Sequence, residues 1–414
     1  MAAAESRAPP GLWRSATSRR QRPRRARARA CAVAPVRVRR GAPGAALLAS
    51  LREDAAGARV AAAGVGSLAL DMLATVESYP SPDEKVRSTA LAVQGGGNAG
   101  NAAVALKRLG VGRVRLLAKV GRDGQGATVE EQLTSEGVGV DCLVRDNEGG
   151  STPFTYILVA ADSQTRTCVH TPGAPLRAEE VSDADVARLL EGAHVAWFDG
   201  RLTETALRVA RRARQAGVPV LVEGERLREP QELLDALLEH GDVVALSASY
   251  ARQRLACDDE ATALGAMVAS LPQARWVSQS RGAEGALMVE RVGVEGGGVR
   301  TEVDEAAVVT RLVGALLASE QPLEPGEVAC VEEGPLRAWR VDAETVNVVD
   351  TTGAGDAFNA VLVLALARCW RPDEALALAA HVAARKCTAL GARAALPYAP
   401  FVRAARGRAA ANAA

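Results

Sequence analysis

From Pro175 onward, short apolar runs alternate with amphipathic stretches of helical period, and this alternation constrains the fold more than any other feature of the chain. The runs are Val195-Ala196-Trp197-Phe198, Val218–Val222, Val243-Val244-Ala245-Leu246 and Trp276-Val277-Ser278-Gln279, with helical segments such as Thr203–Gln215 and Glu232–Glu239 between them. Runs this short and this apolar are strands buried on both faces. A helix between successive strands makes each connection a crossover, so the strands lie parallel and helices cover both faces. The fold class is α/β.

The earlier chain supplies further parts. Val60–Gly66 and Val114–Val120 read as strands, and Asn98–Leu109 as a helix opened by Gly95 to Gly97. Two segments, about 72–93 and 151–171, break the rhythm. The second contains a hairpin, Phe154–Val159 and Thr165–Val169, turned by Ala161–Gln164. Both are expected to form a small β excursion off the main sheet. Residues 291–340, rich in Glu and Gly, exceed the usual length of a connection. They are expected to be an insertion, helical over Ala306–Leu317 and disordered elsewhere.

Charge is divided unevenly. Residues 1–40 carry twelve arginines, no lysine and one acid, Glu5, while residues 41–414 hold 38 basic and 48 acidic residues. A body this acidic does not bind nucleic acid, whose affinity comes largely from phosphate neutralisation by Lys and Arg. The Arg- and Ala-rich head lacks a secretory apolar core and reads as an organelle targeting segment over residues 1–55, removed from the mature protein. Residues 56–400 form the folded domain and 401–414 a flexible tail. The apolar runs fall short of the about 20 residues of a membrane helix, so no membrane partner is expected. The seven cysteines (Cys31, Cys142, Cys168, Cys257, Cys330, Cys369, Cys387) form no C-x-x-C pair. The four histidines show no H-E-x-x-H spacing. A zinc ribbon and a disulfide framework are both excluded.

The strongest chemical signal is Asp350-Thr351-Thr352-Gly353-Ala354-Gly355-Asp356-Ala357-Phe358, between an apolar run and a helix. Small residues at a helix N-terminus leave backbone N–H groups free to hold an anion. A carboxylate there is suited to general-base work rather than anion binding: Asp356 takes a hydroxyl proton while the 353–355 amides stabilise a transferring phosphoryl group. A second signal is Gln94-Gly95-Gly96-Gly97-Asn98-Ala99-Gly100-Asn101. Asn98 and Asn101 share one helix face, and an Asn side chain offers both donor and acceptor to sugar hydroxyls. Gly64–Ala69 fits a loose dinucleotide fingerprint but leads into no crossover helix, and no P-loop motif is present. A nicotinamide oxidoreductase is therefore the least favoured reading.

These segments resemble the two signatures of the PfkB (ribokinase-like) carbohydrate kinase family, Gln94–Gly110 the N-terminal one and Val348–Phe358 the C-terminal one. The resemblance spans about residues 59–397. Ser151-Thr152-Pro153, Thr165-Arg166-Thr167, Asp199-Gly200-Arg201 and Ala384-Arg385-Lys386-Cys387 look most like ketohexokinase and plastid-type plant members. It implies a three-layer α/β/α core with a mostly parallel sheet and a β lid that also mediates dimerisation. By the same resemblance, Asp356 is the base and Gly353, Ala354 and Gly355 the anion hole. Asp71, Gly97, Asn98, Asn101 and Arg166 bind the sugar. Ser280, Gly282 and Gly285 form the nucleotide loop, with Cys387 near the adenine. Asp350 and Thr352 resemble a monovalent-cation (K⁺) site.

Two positions depart from the family pattern. Ser247-Ala248-Ser249-Tyr250 stands where many members have an Asn-x-x-Glu that organises Mg²⁺, which leaves the metal ligands open, and Arg281 replaces an apolar residue. The expected activity is transfer of the γ-phosphoryl of Mg·ATP to a small sugar, in an organelle, chloroplast before mitochondrion. The alternatives are a non-catalytic scaffold or regulatory protein of the same fold, and a nucleoside kinase.

Overall fold

A computed structural model of the protein describes residues 34–40, 42, 44–51, 60–163, 165–293 and 304–399. In chain order the strands are β1 (Arg37–Arg40), β2 (Ala61–Val65), β3 (Ala69–Val76), β4 (Ala90–Gly96), β5 (Arg113–Leu117), β6 (Lys119–Val120), β7 (Val144–Arg145) and β8 (Phe154–Ala160). They continue with β9 (Thr165–Thr171), β10 (Val195–Phe198), β11 (Val220–Gly224), β12 (Val243–Leu246), β13 (Trp276–Ser280), β14 (Ala286–Arg291), β15 (Glu327–Glu333) and β16 (Leu336–Val341). The α-helices are α1 (Gly44–Ser50), α2 (Asn98–Arg108), α3 (Gly124–Ser135), α4 (Asp183–Leu190), α5 (Thr203–Gln215) and α6 (Gln231–Leu238). After them come α7 (Tyr250–Leu255), α8 (Glu260–Ala269), α9 (Glu305–Leu317), α10 (Ala354–Ala367) and α11 (Pro372–Lys386).

The main sheet runs β1-β15-β16-β14-β13-β12-β11-β10-β2-β5. Pairings from β13 to β5 are parallel, and those from β13 out to β1 are antiparallel. Alternate residues take opposite faces of a strand, and the core divides accordingly. Trp197, Leu221, Ala245, Trp276 and Met288 face the layer of α2, α10 and α11. Phe198, Val222, Val244, Val277 and Leu287 face the layer of α5, α6, α8 and α9. Three layers result, as the alternation predicts. Trp276 and Trp339 are fully buried in the first layer, and truncating either to Ala costs about 3–5 kcal/mol.

A second sheet, β4-β3-β8-β9, forms the lid. Its register sorts its side chains by face. Gln94, Asp71, Thr155 and His170 align across the four strands on one side, and Val93, Met72, Tyr156 and Val169 on the other. The first face looks into the central cleft. The second leaves Val93, Tyr156, Val169 and Leu91 exposed.

Two sequence expectations are corrected. The 291–340 segment is helical where expected, over α9, but is not disordered across the rest of its described residues: α9 packs on α8, and the β15–β16 hairpin extends the main sheet. The Glu-rich strand β15 reads as polar, but its acids are paired: Glu332 with Arg337 of β16 at 2.9 Å and Glu333 with Arg311 of α9 at 2.6 Å. Residues 294–303 lie outside the described residues. Ordered chain also begins before residue 59. β1 adds to the sheet edge beside β15, pairing Arg37 with Cys330 and Arg40 with Glu327. Arg39 stacks its guanidinium 5.1 Å from the Trp339 ring centroid, and Arg40 bonds Glu327 at 3.1 Å. Helix α1 packs on α11, where a Cβ at Gly44 would sit 2.2 Å from His381 Cβ. Three of the twelve head arginines are thus β1 residues. The remainder of the proposed targeting segment, before residue 34, and the 401–414 tail lie outside the described residues.

Candidate active site

The C-terminal ends of the parallel strands, where open α/β sheets place their ligands, open into a cleft of about 670 Å³ roofed by the lid. Helix α10 points its N-terminus into it. The chain reaches α10 through an extended segment held by Val349 and Asp350, whose N–H groups donate to the Cys387 carbonyl at 2.8 and 3.2 Å. Gly353 caps the helix at φ 78°, and a Cβ there would lie 2.8 Å from Ala392 Cβ. Glycine is required on both counts. The Ala354 N–H closes the turn on the Thr351 carbonyl at 3.2 Å, whereas the amides of Gly353 and Gly355 bond to no described residue. Both glycines line the cleft and Ala354 does not. The unpaired amides open to the cleft are therefore those of 353 and 355, and the Ala354 amide, expected to join them, is closed on Thr351 instead.

Asp356, in the first turn of α10, is buried, and its carboxylate accepts a hydrogen bond from Asn101 Nδ2 at 2.8 Å. Asn101 Oδ1 in turn accepts from Arg393 Nε at 3.1 Å. An arginine only donates, so the Asn101 carbonyl must face it and the NH₂ must face Asp356. Asn101 therefore positions the carboxylate rather than offering its whole amide to a sugar, as the sequence suggested. Burial, with the negative charges of Glu225 and Asp199, pushes the Asp356 carboxyl up to about 7; the Asn101 hydrogen bond and Arg201 act the other way. That value suits a general base at neutral pH.

Asp71, Gly97 and Asn98 line the same cleft. Burial raises the Asp71 carboxyl, partly offset by Thr155 and by the charge of Arg393. Gly97 sits at φ 81°, with Ser67 O 2.5 Å from where its Cβ would be. The Asn98 N–H donates to Ser67 Oγ at 3.1 Å. Arg166 reaches down from the lid, but to a different place from the other predicted sugar ligands: its Nη1 donates to Thr351 Oγ1 at 2.6 Å and lies 3.5 Å from Asp350. It stands over the turn that carries the unpaired amides of 353 and 355.

Ser280 lines the cleft. Gly282 (φ 59°) and Gly285 (φ 87°) follow in a loop beside a second cavity of about 350 Å³, bordered by Arg281, Glu284, Arg340 and Asp342. Arg281 is held by Glu260 at 2.9 Å, so the departure from an apolar residue fastens this loop to α8. Cys387 is buried at the end of α11, and among the described residues its part in the cleft is limited to the carbonyl that fastens the 349–350 segment. Asp350 accepts from the Thr352 amide (2.9 Å) and hydroxyl (2.7 Å) and from the Gly391 amide (2.8 Å). Burial alone would raise its carboxyl, but these bonds and the charge of Lys386 bring it below the ordinary range. Lys386 Nζ lies 2.6 Å from the Asp350 carbonyl, so a fixed positive charge stands beside the residues expected to hold a monovalent cation.

A model of the pfkB family of carbohydrate kinases matches residues 62–309 and 331–399, well over half of the chain. The chain belongs to this family. Its activity class is accordingly a phosphotransferase with an alcohol group as acceptor. Mouse ketohexokinase is 26% identical over 329 residues, 78% of this chain and 94% of that protein. Arabidopsis thaliana ribokinase is 24% identical over 339 residues, 80% of this chain and 77% of the relative. The structure of Arabidopsis ribokinase complexed with ribose and ATP superposes with a TM-score of 0.61 at 18% identity, covering 84% of this chain and 98% of that one. The ribokinase-like fold is thereby established.

Several residues in and around the cleft escaped the sequence reading. Glu223 stands at the C-terminal end of β11, on the cleft floor. Burial raises its carboxyl well above the ordinary range, helped by the charges of Asp356, Glu225 and Asp199. Glu225 is neutralised by Arg201 at 2.8 Å and Arg228 at 2.7 Å. Arg393 holds Asn101 from a loop after α11. The usable signal was position: an acid just past the apolar part of a parallel strand lies where ligands bind. The floor's oxygen donors (Glu223, Ser247, Ser278) are of the hard type Mg²⁺ takes.

Proposed function

We propose that the protein is an ATP-dependent kinase of a small ketose or pentose, with Asp356 as the general base. The observation that carries this reading is the buried Asp356 carboxylate, held by Asn101 beside the unpaired amides of Gly353 and Gly355 in one cleft. The acceptor hydroxyl gives its proton to Asp356, its oxygen bonds to the γ-phosphorus, and the bond from that phosphorus to the bridging oxygen breaks to release ADP. The 353 and 355 amides stabilise charge on the transferring group, and Arg166, over the same turn, adds positive charge to it. Asp71 and Asn98 orient the sugar, and the lid excludes water. Mg²⁺, when bound, neutralises charge on the phosphates.

The ketose or pentose reading is supported by the kinship with a ketohexokinase and with a ribokinase solved with ribose and ATP. A nucleoside acceptor is disfavoured because Phe358 is the one Phe, Tyr or Trp among the described residues lining the cleft. The exposed apolar row on the outer lid face, Val93, Tyr156 and Val169, suits a second copy of the chain. Delivery to an organelle rests on the composition of the head, and the choice of chloroplast over mitochondrion on the resemblance to plastid-type family members. A leader removed before Val36 would leave β1 paired in the sheet.

The test is a panel of ketoses, pentoses and nucleosides with Mg·ATP and the full chain, with the product identified by phosphorus NMR. One phosphorylated ketose or pentose is the expected product. Nucleotide binding without transfer to any acceptor would favour a scaffold instead.

A further inference from the structure

The chain lacks the Asn-x-x-Glu segment after β12, and the structure offers a different place for the metal that accompanies a nucleotide. Glu223, Ala245 and Ser278 are in register on neighbouring strands β11, β12 and β13. All three face the α10 side, and all line the cleft below Asp356. Ala245, on the strand between the carboxylate and the hydroxyl, carries only a methyl. Ser247, two residues beyond Ala245 and also lining the cleft, adds a second hydroxyl.

These groups lack what the neighbouring polar groups have. Glu225 is taken by Arg201 and Arg228, Asp199 by Ser67 at 2.7 Å, and Asp356 by Asn101. Glu223 makes no hydrogen bond or ion pair to a described residue. Ser278 is 1% exposed, yet its Oγ has no hydrogen-bond partner, and the Ser247 Oγ is likewise buried and unpartnered. A buried hydroxyl without a partner is costly and uncommon. Two of them beside an unpaired carboxylate, facing a polar cleft, point to a ligand rich in oxygen or water. Among the described residues no three His, Cys, Asp or Glu cluster into a cage. Mg²⁺ on a nucleotide needs none: it keeps several waters and takes one or two carboxylates with the phosphates.

We propose that Glu223 is the protein carboxylate that holds the Mg²⁺ of the bound nucleotide, with the Ser278 and Ser247 hydroxyls holding that ion's waters. The assignment rests on the kinase reading above. It gives the β11 end the task that the Asn-x-x-Glu segment performs elsewhere in the family.

The test titrates Mn²⁺ into the full chain saturated with a non-hydrolysable ATP analogue and reads free Mn²⁺ by electron paramagnetic resonance. Nucleotide affinity in EDTA is measured in parallel. Glu223→Gln is expected to weaken Mn²⁺ binding about 10–100-fold and Ser278→Ala about tenfold, with metal-free nucleotide affinity within about twofold of wild type. A thermal melt confirms that both variants are folded. Unchanged Mn²⁺ affinity in both folded variants overturns the assignment and leaves the kinase reading standing. If the wild-type chain binds no nucleotide with or without metal, the kinase reading itself fails, and this assignment with it.

Discussion

Asn101 donates a hydrogen bond of 2.8 Å to the carboxylate of Asp356, joining the start of α2 to the start of α10 across 255 residues of chain. Because Arg393 fixes the other end of the Asn101 amide, the donor is locked toward the carboxylate. A hydrogen bond to the charged form favours ionisation, so Asn101→Ala should raise the Asp356 pKa. The acid limb of kcat should move to higher pH and kcat at neutral pH should fall about tenfold or more. A pH–rate profile of the variant checks this; an unmoved limb with reduced kcat would leave Asn101 a merely structural role.

In the free enzyme the Asp356 carboxyl lies at about 7, against an ordinary value of 3.8. A base must be deprotonated to act, so kcat/KM should rise with pH through about 7 and level off above it. Folding also raises this pKa, so the native state binds the proton more tightly than the unfolded chain. Stability is lost as pH rises from the unfolded value toward about 7. Asp356→Asn should therefore melt higher than wild type at pH 8, and the difference should vanish below pH 4. Paired thermal melts across that range decide it.

Arg166 lies against Thr351 and Asp350 rather than against Asp71 and Asn98. Arg166→Ala should accordingly lower kcat about 10²-fold or more, the scale of a lost donor to a developing anion. The sugar KM should change little. A rise in sugar KM with kcat preserved would return Arg166 to the sugar site.

Strand β1 covers the edge of β15 with four paired residues and the Arg39–Trp339 stack. Pairings and stacking of this kind contribute about 1–3 kcal/mol together. Deleting residues 1–41 should lower the melting temperature and expose a sheet edge prone to association, relative to a deletion of residues 1–33 that keeps β1. Scanning calorimetry of the two truncations against the full chain distinguishes these outcomes.

The outer lid face presents Tyr156 and Val169 at 53% and 59% exposure. If this face joins two copies, Val169→Glu should yield a monomer by sedimentation while wild type sediments as a dimer. A wild-type monomer would remove the lid interface from the account.

Much of this was legible in the sequence where a local pattern encodes a local outcome. The apolar runs from Val195 to Gln279 announced the parallel strands, the Gly353–Asp356 signature announced a helix N-terminus with a carboxylate, and the 161–164 turn announced the lid hairpin. Roles set by long-range contacts were hidden. Nothing local to Arg393 says that it will fix Asn101 across 292 residues, and Glu223 reads as an ordinary strand-end acid until the register places Ser278 level with it two strands away. The arginines of β1 matched the composition of the leader before them; only their pairing with β15 separates the two. The acids of β15 and the arginines of β16 disguised core strands, because charge pairing between them mimics a solvated segment.

The most direct test of the central claim compares wild type and Asp356→Asn as full chains, at pH 8 with Mg·ATP, for ADP release on the sugar that gives turnover. The account predicts turnover in wild type and a loss of about 10²–10⁴-fold or more in the variant, with nucleotide binding retained. A variant that turns over at the wild-type rate would show that Asp356 is not the base.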